Sequence, residues 1–192
     1  MQTFKAVFLD KDGTLIENEP YNVDLAKIRF YPDVRDSLKL FADAGYLLVI
    51  VSNQPGVARG IFKEKALHKV ESALRHNLRG MGVSLAGFYY CPHDPMGTVP
   101  EYSVRCECRK PQPGLLVQAA QELDIELEKS WMIGDILHDV EAGNRAGCRT
   151  VLVDRGNETE WQYNEFRRPT LTVRDLREAA SVISGLQSRE VA

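Results

Sequence analysis

Residues 4–14 read FKAVFLDKDGT. Phe4 to Leu9 is a short apolar run broken only by Lys5, and it leads straight into Asp10-Lys11-Asp12-Gly13-Thr14. Such a run suits a strand buried on both faces of a parallel sheet, although a short run alone does not separate strand from buried helix. Asp12-Gly13 by itself is an ordinary turn signal. The stretch predicts a strand whose carboxyl end presents two carboxylates, at i and i+2, which can lie on one face.

The same grammar continues outward from this strand. Tyr46–Val51, Gly87–Cys91, Trp131–Ile133 and Thr150–Val153 read as four further strands. Helical patterns alternate with them. Pro32 suits the first position of a helix, and VRDSLKLFADAG ends on Gly45, a good residue just past a helix end. Lys63–Arg79 places Ala66, Leu67, Val70, Ala73, Leu74 and Leu78 close to a 3.6-residue spacing. Pro113 opens another helix, Ile136–Ala146 a short one closed by Gly147, and Asp175 caps a last one through Leu186. Alternating strands and helices argue for an α/β doubly wound parallel sheet, here as one domain over residues 1–192. Sheets of this kind bind ligands beyond the carboxyl ends of their strands.

Those ends carry the chemistry. Strand one ends in Asp10 and Asp12, strand two in Ser52-Asn53-Gln54, and strand four in Gly134-Asp135 with Asp139 beyond. Lys110 follows the loop after strand three. Each piece alone has a plainer reading as a turn, a cap or a solvated charge. Together they make a set suited to phosphoryl transfer. Clustered carboxylates repel unless a proton or cation intervenes, and hard oxygen ligands in an open site suit Mg²⁺. One aspartate can then attack phosphorus, and the other, its pKa raised, can protonate the leaving oxygen. Ser52 and Lys110 can hold the equatorial oxygens.

A second cluster lies in FYYCPHDPMGTVPEYSVRCECRKP, residues 88–111. Cys91-x-His93 and Cys106-x-Cys108 bound a loop rich in Pro and Gly. Three free cysteines with a surface histidine, or a disulfide, are the plain alternatives, and a reducing compartment disfavours the disulfide. A structural Cys₃His zinc site fits better, although its x₁ spacing is tighter than that of common zinc fingers. With all four positions filled, such a zinc orders the loop and does not catalyse. Cys148 reads as core. Bulk properties narrow the class. With 192 residues and 44% hydrophobic composition the chain can bury a core, and a net charge of −3 gives no global basic surface for nucleic acid or lipid. The N-terminus shows neither a signal peptide nor a spanning run, so a cytoplasmic location is expected; a monomer is expected as well.

The segments DKDGT, SNQ, RKPQPG and GDILHD resemble the four motifs of the haloacid dehalogenase (HAD) superfamily of phosphatases. The resemblance implies Asp10 as nucleophile and Asp12 as general acid and then base. It makes Ser52 and Lys110 the phosphate clamp. Mg²⁺ is to be held by Asp10, Asp135 and the backbone carbonyl of Asp12, with Asp139 behind them. FLDKDGT, SNQPGVARG, YYCPH and CECRKPQPG resemble the D-glycero-D-manno-heptose 1,7-bisphosphate phosphatase family of lipopolysaccharide heptose synthesis. That likeness implies a capless or minimally capped fold, a structural Zn²⁺, and removal of the C7 phosphate. The related histidinol-phosphate phosphatase domain is the alternative. Ile136 departs from the lysine usual there, and Lys11 replaces a frequent arginine. For the substrate's second phosphate Arg109 is expected, for its hydroxyls Asn53 and Gln54, and for a flap over the site Asn18 to Tyr21.

Overall fold

The computed structural model describes residues 3–190. In chain order these form β1 (Lys5–Leu9), α1 (Val34–Asp43), β2 (Tyr46–Asn53), α2 (Lys65–Gly80), β3 (Gly87–Cys91) and α3 (Gly114–Glu122). Then follow β4 (Trp131–Gly134), α4 (Leu137–Arg145), β5 (Arg149–Val153), β6 (Leu171–Val173) and α5 (Leu176–Glu190). Single 3-10 turns lie at Leu25–Lys27 and Leu127–Lys129. All strand pairs are parallel, in the order β3-β2-β1-β4-β5-β6. β1 is therefore central, and the strand order reverses beside it, where a doubly wound sheet opens its crevice.

Alternation along the strands explains the layers. Val7, Leu9, Leu48, Ile50, Ile133, Val151 and Val153 face one core with apolar residues of α1, α2 and α5. Ala6, Phe8, Val49, Val51 and Met132 face the other, with Leu115, Leu116 and Ala119 of α3 and Ala142 of α4. Both faces are covered, so the strands read as nearly continuous apolar runs. Among the described residues no helix is long and apolar enough to cross a membrane.

Two departures from the sequence pattern have simple causes. β6 is only three residues long, Leu171–Val173, too short to stand out against its polar neighbours. Helix α1 starts at Val34, not Pro32, and Asp33 makes no side-chain cap on it. The Asp33 carboxylate reaches instead to the backbone N–H of Leu176 (2.7 Å) and to Arg155 (2.7 Å), where it satisfies the start of α5. Asp175 caps that helix as expected, accepting from the N–H of Glu178 at 2.9 Å.

Candidate active site

Because β1 lies between β2 and β4, the residues just past these three strands meet at one edge. Asp10, Asp135 and Asp139 each place a carboxylate oxygen within 4.8 Å of the others, and all three are buried. Asp139 reaches the cluster because it sits in the first turn of α4, where its Oδ2 accepts from the N–H of Ile136 at 3.3 Å. Gly134 makes this possible: a Cβ there would come within 2.2 Å of Asp139. Gly13 has φ +85°, and a Cβ on it would lie 2.0 Å from Asp135 Oδ2. The Asp12-Gly13 turn thus needs glycine both for its backbone and for the approach of Asp135.

Lys110 enters this cluster from the loop after β3. Its Nζ lies 2.5 Å from Asp10 Oδ1 and 2.7 Å from Asp139 Oδ1, and it donates to the carbonyl of Val51 at 2.9 Å. Three carboxylates and one ammonium leave an excess of negative charge inside the protein. Burial, with repulsion from Asp10 and Asp139, pushes Asp135 up to about 8. Burial, opposed by Lys110 and reinforced by Asp139, raises Asp10 to about 6. Burial lowers the Lys110 pKa, but Asp10 and Asp139 outweigh it and raise the group above the ordinary lysine range. An all-oxygen donor set with uncompensated negative charge matches a hard divalent cation.

The Asp12 carboxylate is not part of this cluster. It is held by Lys11 Nζ at 2.6 Å and by Gln54 Nε2 at 3.1 Å. Burial still raises its pKa, against the opposing charge of Lys11. Gln54 also donates to Ser52 Oγ at 2.9 Å, so Ser52, Gln54 and Asp12 form one chain of contacts. Asn53 donates to the Lys110 carbonyl at 2.9 Å and accepts from its N–H at 3.0 Å. The structure thus turns Asn53 and Gln54 inward, as ties between motifs, because their amides lie beside backbone and carboxylate partners at the end of β2. Their role toward sugar hydroxyls stays an expectation, now for amides already tied to Lys110, Ser52 and Asp12.

The cysteine loop closes on itself. Sγ–Sγ distances are 3.1 Å for Cys91–Cys108, 3.2 Å for Cys106–Cys108 and 3.6 Å for Cys91–Cys106. His93 Nδ1 is 3.6 Å from Cys91 Sγ and 3.3 Å from Cys108 Sγ. None of the cysteines is in a disulfide. Ligands about 2.3 Å from a tetrahedral zinc stand about 3.7 Å apart, so these four atoms outline a site of that class, slightly contracted. The Cys108 thiol is pulled down to about 5, chiefly by its hydrogen bond with Cys91.

Arg109 directly follows Cys108, and its Nη1 donates to the His93 carbonyl at 3.0 Å. It lines a cleft of about 600 Å³ with Arg105, Lys110, Gln112 and His138. On the other side Tyr21 meets Arg59 through its hydroxyl, and Arg59 pairs with Asp94 at 2.7 Å. Asp94 directly follows His93, so the segment after β1 is tied to the cysteine loop. Asn18 is exposed in that segment. Sequence reasoning missed Thr14 and Asn157, which donate to Asp135 Oδ1 (3.1 Å) and Oδ2 (2.8 Å). No local pattern marks Asn157, which follows β5 in an irregular loop.

Comparison with known proteins agrees with this geometry. A family model described as HAD-hydrolase-like matches residues 107–179. The D-glycero-beta-D-manno-heptose-1,7-bisphosphate 7-phosphatase of Yersinia pestis is 41% identical over 156 residues, which are 81% of this chain and 83% of that protein. The enzyme of the same name from Photorhabdus laumondii subsp. laumondii is 37% identical over 97% of this chain and 98% of its own length. Among solved structures, the D,D-heptose 1,7-bisphosphate phosphatase of B. bronchiseptica, complexed with magnesium and phosphate, superposes with a TM-score of 0.77. It is 27% identical, and the match covers 96% of this chain and 99% of that one.

Proposed function

This chain belongs to the D-glycero-beta-D-manno-heptose-1,7-bisphosphate 7-phosphatase family of HAD-like hydrolases, and on that premise we propose that it hydrolyses the C7 phosphate of heptose 1,7-bisphosphate to leave heptose 1-phosphate. The observation that carries this reading is the convergence of Asp10, Lys110, Asp135 and Asp139 at the edge where the strand order reverses.

Asp10 attacks phosphorus, the bond to the C7 oxygen breaks, and Asp12 gives that oxygen its proton. Asp12, now a carboxylate, takes a proton from the water that attacks the aspartyl phosphate, which releases phosphate and restores Asp10. Lys11 and Gln54 hold Asp12 away from the metal-facing cluster, so it works as acid and base and not as a side-chain ligand. Lys110 trades its Asp10 contact for an equatorial phosphate oxygen, and Ser52 supplies a second contact. Asp10, Asp135 and the backbone carbonyl of Asp12 are the groups to hold Mg²⁺, which when bound neutralises the charge gathered on the carboxylates and the phosphate. Arg109, on the cleft wall, is suited to the second phosphate, since a guanidinium can grip it bidentately. Asn18 and Tyr21 are assigned to the flap.

Side-by-side assays test the substrate. Purified protein with Mg²⁺ should release phosphate from heptose 1,7-bisphosphate far faster than from histidinol phosphate, and chelation of Mg²⁺ should stop it. Faster release from histidinol phosphate, or none from the bisphosphate, would displace the assignment. We place the protein in the cytoplasm as a single-domain monomer, which light scattering during gel filtration would check.

Cys91, His93, Cys106 and Cys108 are assigned to a structural zinc. Elemental analysis should find about one zinc per chain. Cys108→Ser should lose it, lower the melting temperature, and weaken turnover because Arg109 and Lys110 are carried on the same loop. Native protein without zinc, or a Cys108→Ser variant with unchanged melting, would contradict this assignment.

A further inference from the structure

Asn157 lies in the loop between β5 and β6, far in sequence from the motifs that supply the cluster. Its amide nevertheless donates to Asp135 Oδ2 at 2.8 Å, opposite Thr14, which donates to Oδ1 at 3.1 Å. A Cβ on Gly13 would also come within 2.8 Å of Asn157 Nδ2, so the amide is packed into the Asp12-Gly13 turn itself. The chain that follows it is anchored at several points. Glu158 Oε2 accepts from the N–H of Leu137 at 2.6 Å, which pins the loop to the first turn of α4. Farther on, Arg167 pairs with Glu141 at 2.6 Å, and Asn144 donates to the Phe166 carbonyl at 2.7 Å. The segment is thus stapled along the helix that begins just after Asp135.

A carboxylate can rotate about its last bond, and a buried one surrounded by like charge will do so unless donors fix it. Thr14 alone constrains one oxygen. The donor on the second oxygen sets the plane of the group and so the direction of its remaining lone pairs. We infer that Asn157 is a positioning residue for Asp135, which sets the carboxylate plane for cation binding through the β5–β6 loop. The inference rests on the proposed Mg²⁺ site.

Titration calorimetry with Mg²⁺ alone, on the full chain, tests it. Four proteins are needed: wild type, Asp135→Asn, Asn157→Ala, and Asn157→Leu, which keeps the branched shape but has no donor. The wild type should bind one Mg²⁺, and Asp135→Asn should lose it. Both Asn157 variants should weaken binding by about 10–100-fold. Their kcat should recover toward the wild-type value when Mg²⁺ is raised to saturation, with the KM for the sugar phosphate unchanged, which a general loss of structure would not produce. Losses below tenfold in both variants, with Asp135→Asn still abolishing binding, would overturn the role of Asn157 and leave the metal site standing. If the wild type binds no Mg²⁺, or Asp135→Asn binds as well as wild type, the metal site falls and the inference with it. Should the alanine variant fail to fold, the leucine variant decides the matter on the same criterion.

Discussion

Asp10→Asn is expected to abolish turnover, by about 10⁴-fold or more, while the protein stays folded. The amide cannot attack phosphorus, so the first bond-making step is lost and not merely slowed. Stability changes little because two effects oppose. Lys110 loses its partner at 2.5 Å, but Asp139 still holds it at 2.7 Å. At the same time a buried negative charge beside Asp135 and Asp139 disappears, which relieves repulsion. Phosphate release and thermal melting, measured on one preparation, separate these effects. Residual activity within tenfold of wild type would mean that Asp10 is not the nucleophile. An unfolded variant would mean that its pairing with Lys110 dominates the local energetics.

Lys110→Met is expected to fail in both respects. Among the described residues the Lys110 ammonium is the one cation paired with Asp10 and Asp139, and its side chain is 2% exposed. Removing it leaves buried carboxylates facing one another, a loss of about 3–5 kcal/mol. For a chain of this length that corresponds to a fall in melting temperature of roughly 6–20 °C. Turnover should drop by about 10²–10³-fold because a charged contact to the transferring phosphoryl group is gone. Mg²⁺ gives the sharper reading. With the lysine absent, more uncompensated charge remains for the cation to neutralise, so saturating Mg²⁺ should raise the variant's melting temperature by more than it raises that of the wild type. Equal shifts in the two proteins would show that Lys110 and the cation do not share the same carboxylates.

These effects were legible in the sequence to different depths. The run from Phe4 to Thr14 shows strand, turn and carboxylates together, because a central parallel strand is apolar throughout and its chemistry begins where it ends. Gly87–Cys91 matches β3 for the same reason, and Gly45, with φ +79°, closes α1 as a left-handed residue. The pairing of Cys91 and His93 with Cys106 and Cys108 is written in local spacing, and the four side chains meet. The uses of Asn53, Gln54 and Asn157 could not be read in this way. An amide serves equally well toward sugar, backbone or carboxylate, and only the fold decides which partner it meets. Asn157 reaches Asp135 across a crossover of 22 residues. Asp139 shows the same dependence on the fold. Its place in the cluster follows from the pitch of α4 and the bare Cα of Gly134, which sequence spacing suggests only in outline.

The proposed common cation site at the ends of β1 and β4 is tested most directly by anomalous diffraction from crystals grown with Mn²⁺ in place of Mg²⁺. A single strong peak bonded to the carboxylates of Asp10 and Asp135 and to the backbone carbonyl of Asp12 is the expected result. A map with no peak between those groups, or with the ion held by other residues, would contradict the assignment of this edge as the phosphoryl-transfer centre.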